Sequence, residues 1–522
     1  MRRAFFTLLF GATVLVPRAT TPALAICEPI DDDRVEDEIL IELEPGVPIG
    51  TIESRYSVTA LDNIPEWNLW RLRTAPGADV DEIIDVMKSD NQIDECEPHR
   101  HFESPEGVQR TIADLDVTAN SDTFLNQPSA ATIHAAPAQT KYTGDGVIVA
   151  IIDTASSLRH PDTTANMMDG GFDLVDGNPT ADVEPNGLDD DGDGMIDESD
   201  QPATYAAGLV RLAAPNARIL PIRVLEEDGK GSVFSIAKGI LTAIRGGARV
   251  INLSLGMTHD SKPIERAIED AEDAGIVVVA AAGNRGTGCV DFPAYRPEAL
   301  AVAAVDDSLV KTDFSSYGTE VDLSAPGADL LSTYEEGDYA MWSGTSFSTP
   351  LVAGGAALLL EKYPGLKPQA ARGLIKGTTQ PDQNPAYAGL MGTGALDLDA
   401  LASVLSTDRA SLKVRKDQAG ALVRFSPVLG ATAYDLASGD TKNLRMAGGT
   451  VDLGTLECIA NDAVIDDSST FADTRVPAPG RAFFYVFRDD APDTGGGSYG
   501  RSSEGARRVA GAGDCPGAAP AR

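Results

Sequence analysis

Hydrophobic and polar positions change their period along the chain, and each change marks a different kind of unit. Near the N-terminus, Glu38-Ile39-Leu40-Ile41-Glu42-Leu43 and Leu69-Trp70-Arg71-Leu72 read as strands, whereas the apolar residues of Val80-Asp81-Glu82-Ile83-Ile84-Asp85-Val86-Met87 have helical spacing. Residues 26–110 are therefore expected to form a small α+β unit. From about residue 125 to 405, short Val/Ile/Ala runs, as at 147–153 and 276–281, alternate with helical stretches such as 263–274. That order predicts an α/β unit, a doubly wound parallel sheet covered by helices on both faces. Functional groups collect at the carboxyl ends of strands in such sheets, where Asp153, Ser254, Asn284 and the turn before Ser346 fall. Across 411–515 the pattern becomes alternating β segments, as at 421–425 and 483–487, broken by Gly, Asp and Pro, which predicts a β-sandwich-like tail.

Arg2-Arg3, the apolar stretch 4–16 and Ala23-Leu24-Ala25 have the order of a signal peptide, with cleavage expected after Ala25 and a secreted or periplasmic product. The apolar run is shorter than the roughly twenty residues a membrane span needs. With 79 acidic against 42 basic residues, the net charge of -37 disfavours nucleic acid or an anionic membrane as partner. Five cysteines in an exported chain permit disulfides. Pairing of Cys27 with Cys96 and of Cys458 with Cys515 is expected, leaving Cys289 single.

Candidate chemistry lies in several separated segments of the central unit. Ile151-Ile152-Asp153-Thr154 is followed by His160-Pro161-Asp162, then by Ala214-Pro215-Asn216-Ala217 and Ile251-Asn252-Leu253-Ser254-Leu255-Gly256. Ala281-Ala282-Gly283-Asn284 and Ser343-Gly344-Thr345-Ser346-Phe347-Ser348-Thr349-Pro350 complete the set, the last opening a helix expected over 350–360. In this order and spacing, the segments resemble the subtilases, the subtilisin-like serine endopeptidases, over about residues 125–405. The β-rich tail itself resembles a fibronectin type III-like β-sandwich, while the resemblance to subtilases implies a subtilisin-like fold and a propeptide-like N-terminal unit that chaperones folding and occupies the cleft. It also implies Ser346 as nucleophile, Asn284 as oxyanion donor, Asp153 as the carboxylate that orients the base, and a peptide-binding edge at Ser254, Leu255 and Gly256 with Ala282 and Gly283 beside it.

One member of the set departs from the pattern. Where the family usually reads His-Gly-Thr-His-Val-Ala-Gly, this chain has Pro202-Ala203-Thr204-Tyr205-Ala206-Ala207-Gly208, so the catalytic histidine falls on Pro202 and the second histidine on Tyr205. The chain's histidines are His99, His101, His134, His160 and His259, all outside this segment. Proline suits the first turn of a helix but neither accepts nor delivers a proton. The expected protein is a pseudoprotease or severely impaired protease that binds an extended peptide and its own propeptide. The alternatives are an active endopeptidase using an unusual or substrate-supplied base, and an adhesive or structural exported protein.

The acidic insertion 186–200 has the alternating carboxylates of a calcium loop, with Asp189, Asp191, Asp193, the Met195 carbonyl and Asp200 as candidate ligands. Asp200 replaces the usual glutamate at the twelfth place, and its shorter reach weakens bidentate binding. A solvated acidic loop is the bland alternative.

Overall fold

A computed structural model describes residues 34–103, 114–115, 118–182, 202–226, 229–334 and 337–407, with strands between 412 and 509. The N-terminal alternation forms an antiparallel sheet of β1 (Arg34–Leu43), β2 (Thr59–Ile64), β3 (Leu69–Arg73) and β4 (Ile93–Glu103), in the order β2-β3-β1-β4. Ile39 and Ile41 of β1 pack with α1 (Ile49–Tyr56) and α2 (Val80–Met87). Leu40, between them, faces the other way and joins Trp67, Leu69 and Phe102 in the core of the central unit. Helix α2 starts where the Asp79 carboxylate accepts from the Glu82 N–H at 3.1 Å, satisfying one of the unpaired N–H groups of its first turn.

The central unit continues through β5 (Asp114–Leu115), three short helices α3 (Ser121–Leu125), α4 (Pro128–Thr132) and α5 (Ala135–Gln139), and β6 (Ile148–Asp153). It proceeds through β7 (Phe172–Asp173), α6 (Pro202–Ala213), β8 (Arg218–Arg223), β9 (Lys230–Ser232), α7 (Val233–Arg245), β10 (Val250–Leu253), α8 (Lys262–Asp273) and β11 (Val277–Ala281). β12 (Ala299–Val305), β13 (Leu323–Pro326), β14 (Leu330–Thr333), β15 (Tyr339–Trp342), α9 (Thr345–Lys362), α10 (Pro368–Gly377) and α11 (Leu398–Thr407) complete it. Seven strands form a parallel sheet in the order β13-β12-β11-β10-β6-β8-β7. Its apolar runs divide between two faces: Val149 and Ile151 pack with α6 and α9, Ala150 and Ile152 with α7 and α8. This two-sided burial explains why the strands read as continuous apolar runs in the sequence. Beyond α11 the described elements, from β16 (Leu412–Lys416) to β24 (Arg507–Val509), are strands in small three-stranded sheets. No described helix is long and apolar enough to cross a membrane.

The two units meet through specific contacts. Trp67 donates its indole N–H to Asp270 at 2.8 Å, Lys238 pairs with Asp62 at 2.9 Å, and Arg266 reaches Glu42. Glu97 of β4 accepts from the Lys262 N–H at 3.0 Å and the Ser261 hydroxyl at 2.8 Å, and so caps α8 from the neighbouring unit. A helix N-terminus favours an anion, yet burial is the larger influence and lifts the Glu97 carboxyl to about 7. The folded chain therefore holds this proton more tightly than the unfolded chain does. The associated stability is complete below about pH 4.5 and is lost as pH rises through about 7. Glu97→Gln, neutral at every pH, is expected to raise the melting temperature at pH 8 and leave it unchanged at pH 4. Equal shifts at both pH values would show that the carboxyl's ionisation is immaterial to this contact.

Cysteine pairing differs from expectation. Cys96 is a free thiol on β4, and Cys289, expected to be single, is disulfide-bonded to a cysteine whose side chain lies outside the described residues. Sequence grouping by unit failed for Cys96 and Cys289 because a disulfide depends on spatial approach, and Cys289 is buried in a loop of the central unit.

Candidate functional site

Ser346 lies in the first turn of α9, which begins at Thr345 and not at Pro350 as expected. Pro350 stands inside the helix because the bond it removes is replaced. Its absent N–H would have bonded the Ser346 carbonyl, and that oxygen instead accepts from the Ser254 hydroxyl at 2.7 Å. The Asn252 amide in turn donates to Ser254 Oγ at 2.9 Å, and Ser346 Oγ donates to the Ser254 carbonyl at 3.3 Å. The candidate nucleophile is thus tied to the end of β10 by both its backbone and its hydroxyl, at the positive end of an 18-residue helix.

Asn284 follows β11 and is held by a residue the sequence reading passed over. Thr345 donates both its N–H and its hydroxyl to Asn284 Oδ1, each at 2.9 Å, and its hydroxyl accepts from the Gly283 N–H at 3.2 Å. Because a backbone N–H can only donate, Asn284 must present its oxygen to Thr345 and its NH₂ elsewhere, the polarity an oxyanion donor needs. The sequence signal for Thr345 was its hydroxyl immediately before the candidate nucleophile. Gly283 has φ +101°, a conformation that side chains strain to adopt.

Asp153 ends β6, fully buried, and its Oδ1 accepts from the Thr154 N–H at 2.8 Å. Pro202 is the first residue of α6 and is buried. The helix start is tied to the strand end beside Asp153: the Ala203 N–H donates to Thr154 Oγ1 at 3.4 Å, and Thr204 Oγ1 accepts from the Ser157 N–H at 2.7 Å. Downstream, Gly208 fixes the register, because a Cβ there would lie 2.3 Å from Ser332 Oγ and 3.0 Å from the Thr333 backbone nitrogen. Tyr205 is fully buried. Its hydroxyl donates to the Leu330 carbonyl and accepts from the Trp342 N–H at 3.0 Å, joining β14 to β15. Burial raises its pKa well above the ordinary value, so it is no base near neutrality.

His160 is buried with both ring nitrogens engaged by backbone. Nδ1 accepts from the Asp162 N–H at 3.2 Å, which puts the proton on Nε2, where it is donated to the Asp338 carbonyl at 3.0 Å. Burial lowers its pKa, so the ring is neutral. His99 pairs with Glu38 in the N-terminal unit and His134 with Asp397.

Comparison with known proteins identifies relatives of the central unit. Residues 144–394 match the subtilase family. Over 267 residues the chain is 37% identical to Subtilisin Savinase of Lederbergia lenta, covering 49% of this chain and 91% of that protein. The chain belongs to the subtilase family. This subtilase is also 42% identical over 216 residues to thermitase of Thermoactinomyces vulgaris, covering 41% of this chain and 75% of that protein. Its match to an alkaline protease of Alkalihalobacillus alcalophilus, 37% identical, spans 49% of this chain and 64% of that protein, under two thirds of its length. The crystal structure of fervidolysin from Fervidobacterium pennivorans, a keratinolytic enzyme related to subtilisin, superposes with a TM-score of 0.61 at 19% identity over 95% of this chain and 82% of that one, and shares the fold.

The residues expected to form a peptide edge follow the ends of two sheet strands. Ser254, Leu255 and Gly256 follow β10, and Ala282 and Gly283 follow the neighbouring β11, with Ala282 donating its N–H to the Val302 carbonyl at 3.0 Å. The end of β4 pairs antiparallel with β9, His101 opposite Ser232 and Phe102 opposite Gly231. The calcium candidates Asp189, Asp191, Asp193, Met195 and Asp200, like the signal peptide, lie outside the described residues. Among the described residues no group of three or more His, Cys, Asp or Glu is placed to hold a metal ion. At the root of that loop Asp173 and Asp176 pair with Arg223, and Asp182 with Arg159.

Proposed function

We propose that this subtilase is an exported peptide-binding scaffold whose hydrolytic activity is lost or severely reduced. The observation that carries the reading is Pro202, seated at the start of α6 beside the Asp153 strand end, where the family pattern requires a histidine base. A proline side chain transfers no proton. Loss of the base in a family member costs on the order of 10⁶ in kcat, and the oxyanion hole and binding still leave roughly 10³ to 10⁴ over water. His160 does not take its place, since backbone partners occupy both its nitrogens. Binding of extended chain needs no base, and the β4 end lying on the β9 edge supports strand addition as the binding mode.

Self-processing uses the same nucleophile and base as any other cleavage. After signal removal the chain is therefore expected to stay continuous across residues 105–125. Ser346 is expected to react no faster with a fluorophosphonate probe than the Ser346→Ala background. Wild-type protein cut in that stretch, with Ser346→Ala uncut under the same conditions, would instead establish an active endopeptidase with an unusual base.

The scaffold is also proposed to bind calcium through residues 189–200, whose donors are the hard oxygens that calcium takes. The carboxylates at the described root are held by arginines and leave that set as ligands. Binding to the native state at a hundredfold excess over Kd adds about 2.7 kcal/mol. Chelation is expected to lower the melting temperature, and Asp191→Ala with Asp193→Ala to abolish the difference. Identical melting curves with and without calcium would remove the metal from this account.

A further inference from the structure

Asp291 is a carboxylate in an unexpected place. Its segment, Cys289-Val290-Asp291-Phe292-Pro293, is otherwise apolar and is stitched to both walls of the peptide edge. The Asp291 N–H donates to the Ala282 carbonyl at 3.0 Å, while Phe292 and Met257 exchange backbone hydrogen bonds at 2.8 and 2.9 Å. The Asp291 side chain then fills the seam between the walls. A Cβ built on Gly283 would lie 2.3 Å from Asp291 Oδ2, and one built on Gly256 would lie 2.9 Å from Asp291 Cβ. The two glycines make room for this carboxylate.

A cation already lies against it. Arg285, the residue after Asn284, donates from Nε to Asp291 Oδ1 at 3.0 Å. The Arg285 side chain is 20% exposed and that of Asp291 5%, so the arginine is the outer, solvent-reaching member of the pair. An extended peptide laid along Ser254-Leu255-Gly256, with one carbonyl between Ser346 Oγ and the Asn284 amide, would turn the side chain of that residue away from Ser346 and into the seam. The group it meets there is the Asp291 carboxylate.

We infer that Asp291 is a recognition carboxylate for a lysine or arginine side chain of the bound peptide, and that Arg285 is an internal stand-in which the incoming cation displaces. Burial raises the Asp291 carboxyl to about 6 despite Arg285, so the existing pair does not fully offset the desolvation of the carboxylate. A fitting cation that excludes the remaining water strengthens the contact, whereas an apolar side chain leaves it unanswered. The inference rests on the proposal that this edge binds extended peptides.

The test is fluorescence-polarisation binding to the full chain, using labelled alanine-based peptides that carry Arg, Lys, citrulline or Phe at one position. In Arg285→Ala, Arg and Lys peptides are expected to bind on the order of 10- to 100-fold more tightly than the citrulline and Phe peptides, the range of one charge-assisted bond. Asp291→Asn in that background is expected to erase the preference and keep the Phe-peptide affinity. The pair Arg285→Gln with Asp291→Asn buries no lone charge, is expected to show no cation preference and stands in for Asp291→Asn if that variant fails to fold, while Arg285→Gln alone, expected to keep the preference, stands in for Arg285→Ala. Peptides that bind folded Arg285→Ala without preferring a cation overturn the role of Asp291 alone, as does a preference that survives Asp291→Asn. Failure of every peptide to bind any folded variant overturns the peptide-edge reading, and this inference with it.

Discussion

Pro202→His combined with Ala203→Gly is expected to raise peptide hydrolysis by about 10²- to 10⁴-fold, the usual worth of a positioned general base. The other residues proposed for the site are each held by defined contacts. Asp153 ends its strand, Thr345 orients Asn284, and Ser346 is fixed at the start of α9. Position 202 is held near the Asp153 strand end by the bond from Ala203 to Thr154, so a new imidazole starts from a defined backbone. Ala203 is buried, and its replacement by glycine removes a Cβ beside the new ring at a cost of up to about 1 kcal/mol in helix propensity. Recovery is expected to stay short of the full 10⁶ because the end of β4 in the N-terminal unit pairs with β9 of the central unit and, as the proposed propeptide, competes with the substrate. The assay is turnover of a chromogenic peptide, with cleavage between the two units as a second readout and the same variant carrying Ser346→Ala as control. A folded double variant with no Ser346-dependent turnover would mean that Pro202 is not the sole lesion.

Much of this arrangement was legible because the chain repeats simple rules at the places that matter. The apolar run ending in Asp153 could only be a strand covered on both sides, and its carboxylate had to emerge at the strand end. The start of α9 was misplaced because proline usually opens a helix. Reading Pro350 as interior required knowing that Ser254, far away in sequence, supplies the bond to the Ser346 carbonyl. Thr345 was missed for a similar reason: hydroxyls before helices are commonly caps, and only the fold brings this one to Asn284. The expected Cys27–Cys96 pair and single Cys289 failed because no local pattern encodes which loops approach, while the side chains of Cys458 and Cys515 lie outside the described residues. Asp291 left the one trace that a sequence reading could have followed, a single carboxylate inside an apolar segment.

Tyr205 occupies the second histidine position of the same motif, and reverting it is expected to have the opposite outcome. Its hydroxyl is a bridge between two strands, accepting from Trp342 and donating to Leu330 in a fully buried site. Its ring packs against Trp342 and Phe347, with centroids 5.8 and 4.5 Å away. Tyr205→Phe keeps the ring and strands one N–H and one carbonyl, at about 1 to 3 kcal/mol for each buried group left unpaired. Tyr205→His loses those bonds and also leaves space where the phenol stood, so it is expected to cost more than Tyr205→Phe. The first variant should unfold about 2 to 6 kcal/mol more easily than wild type in urea, and the second should unfold earlier still. If Tyr205→His is as stable as wild type, the hydroxyl bridge carries no weight and the motif could be restored whole. If it is destabilised as expected, the segment has repacked around tyrosine, and any restored catalyst must keep Tyr205 while changing only the positions that face Asp153.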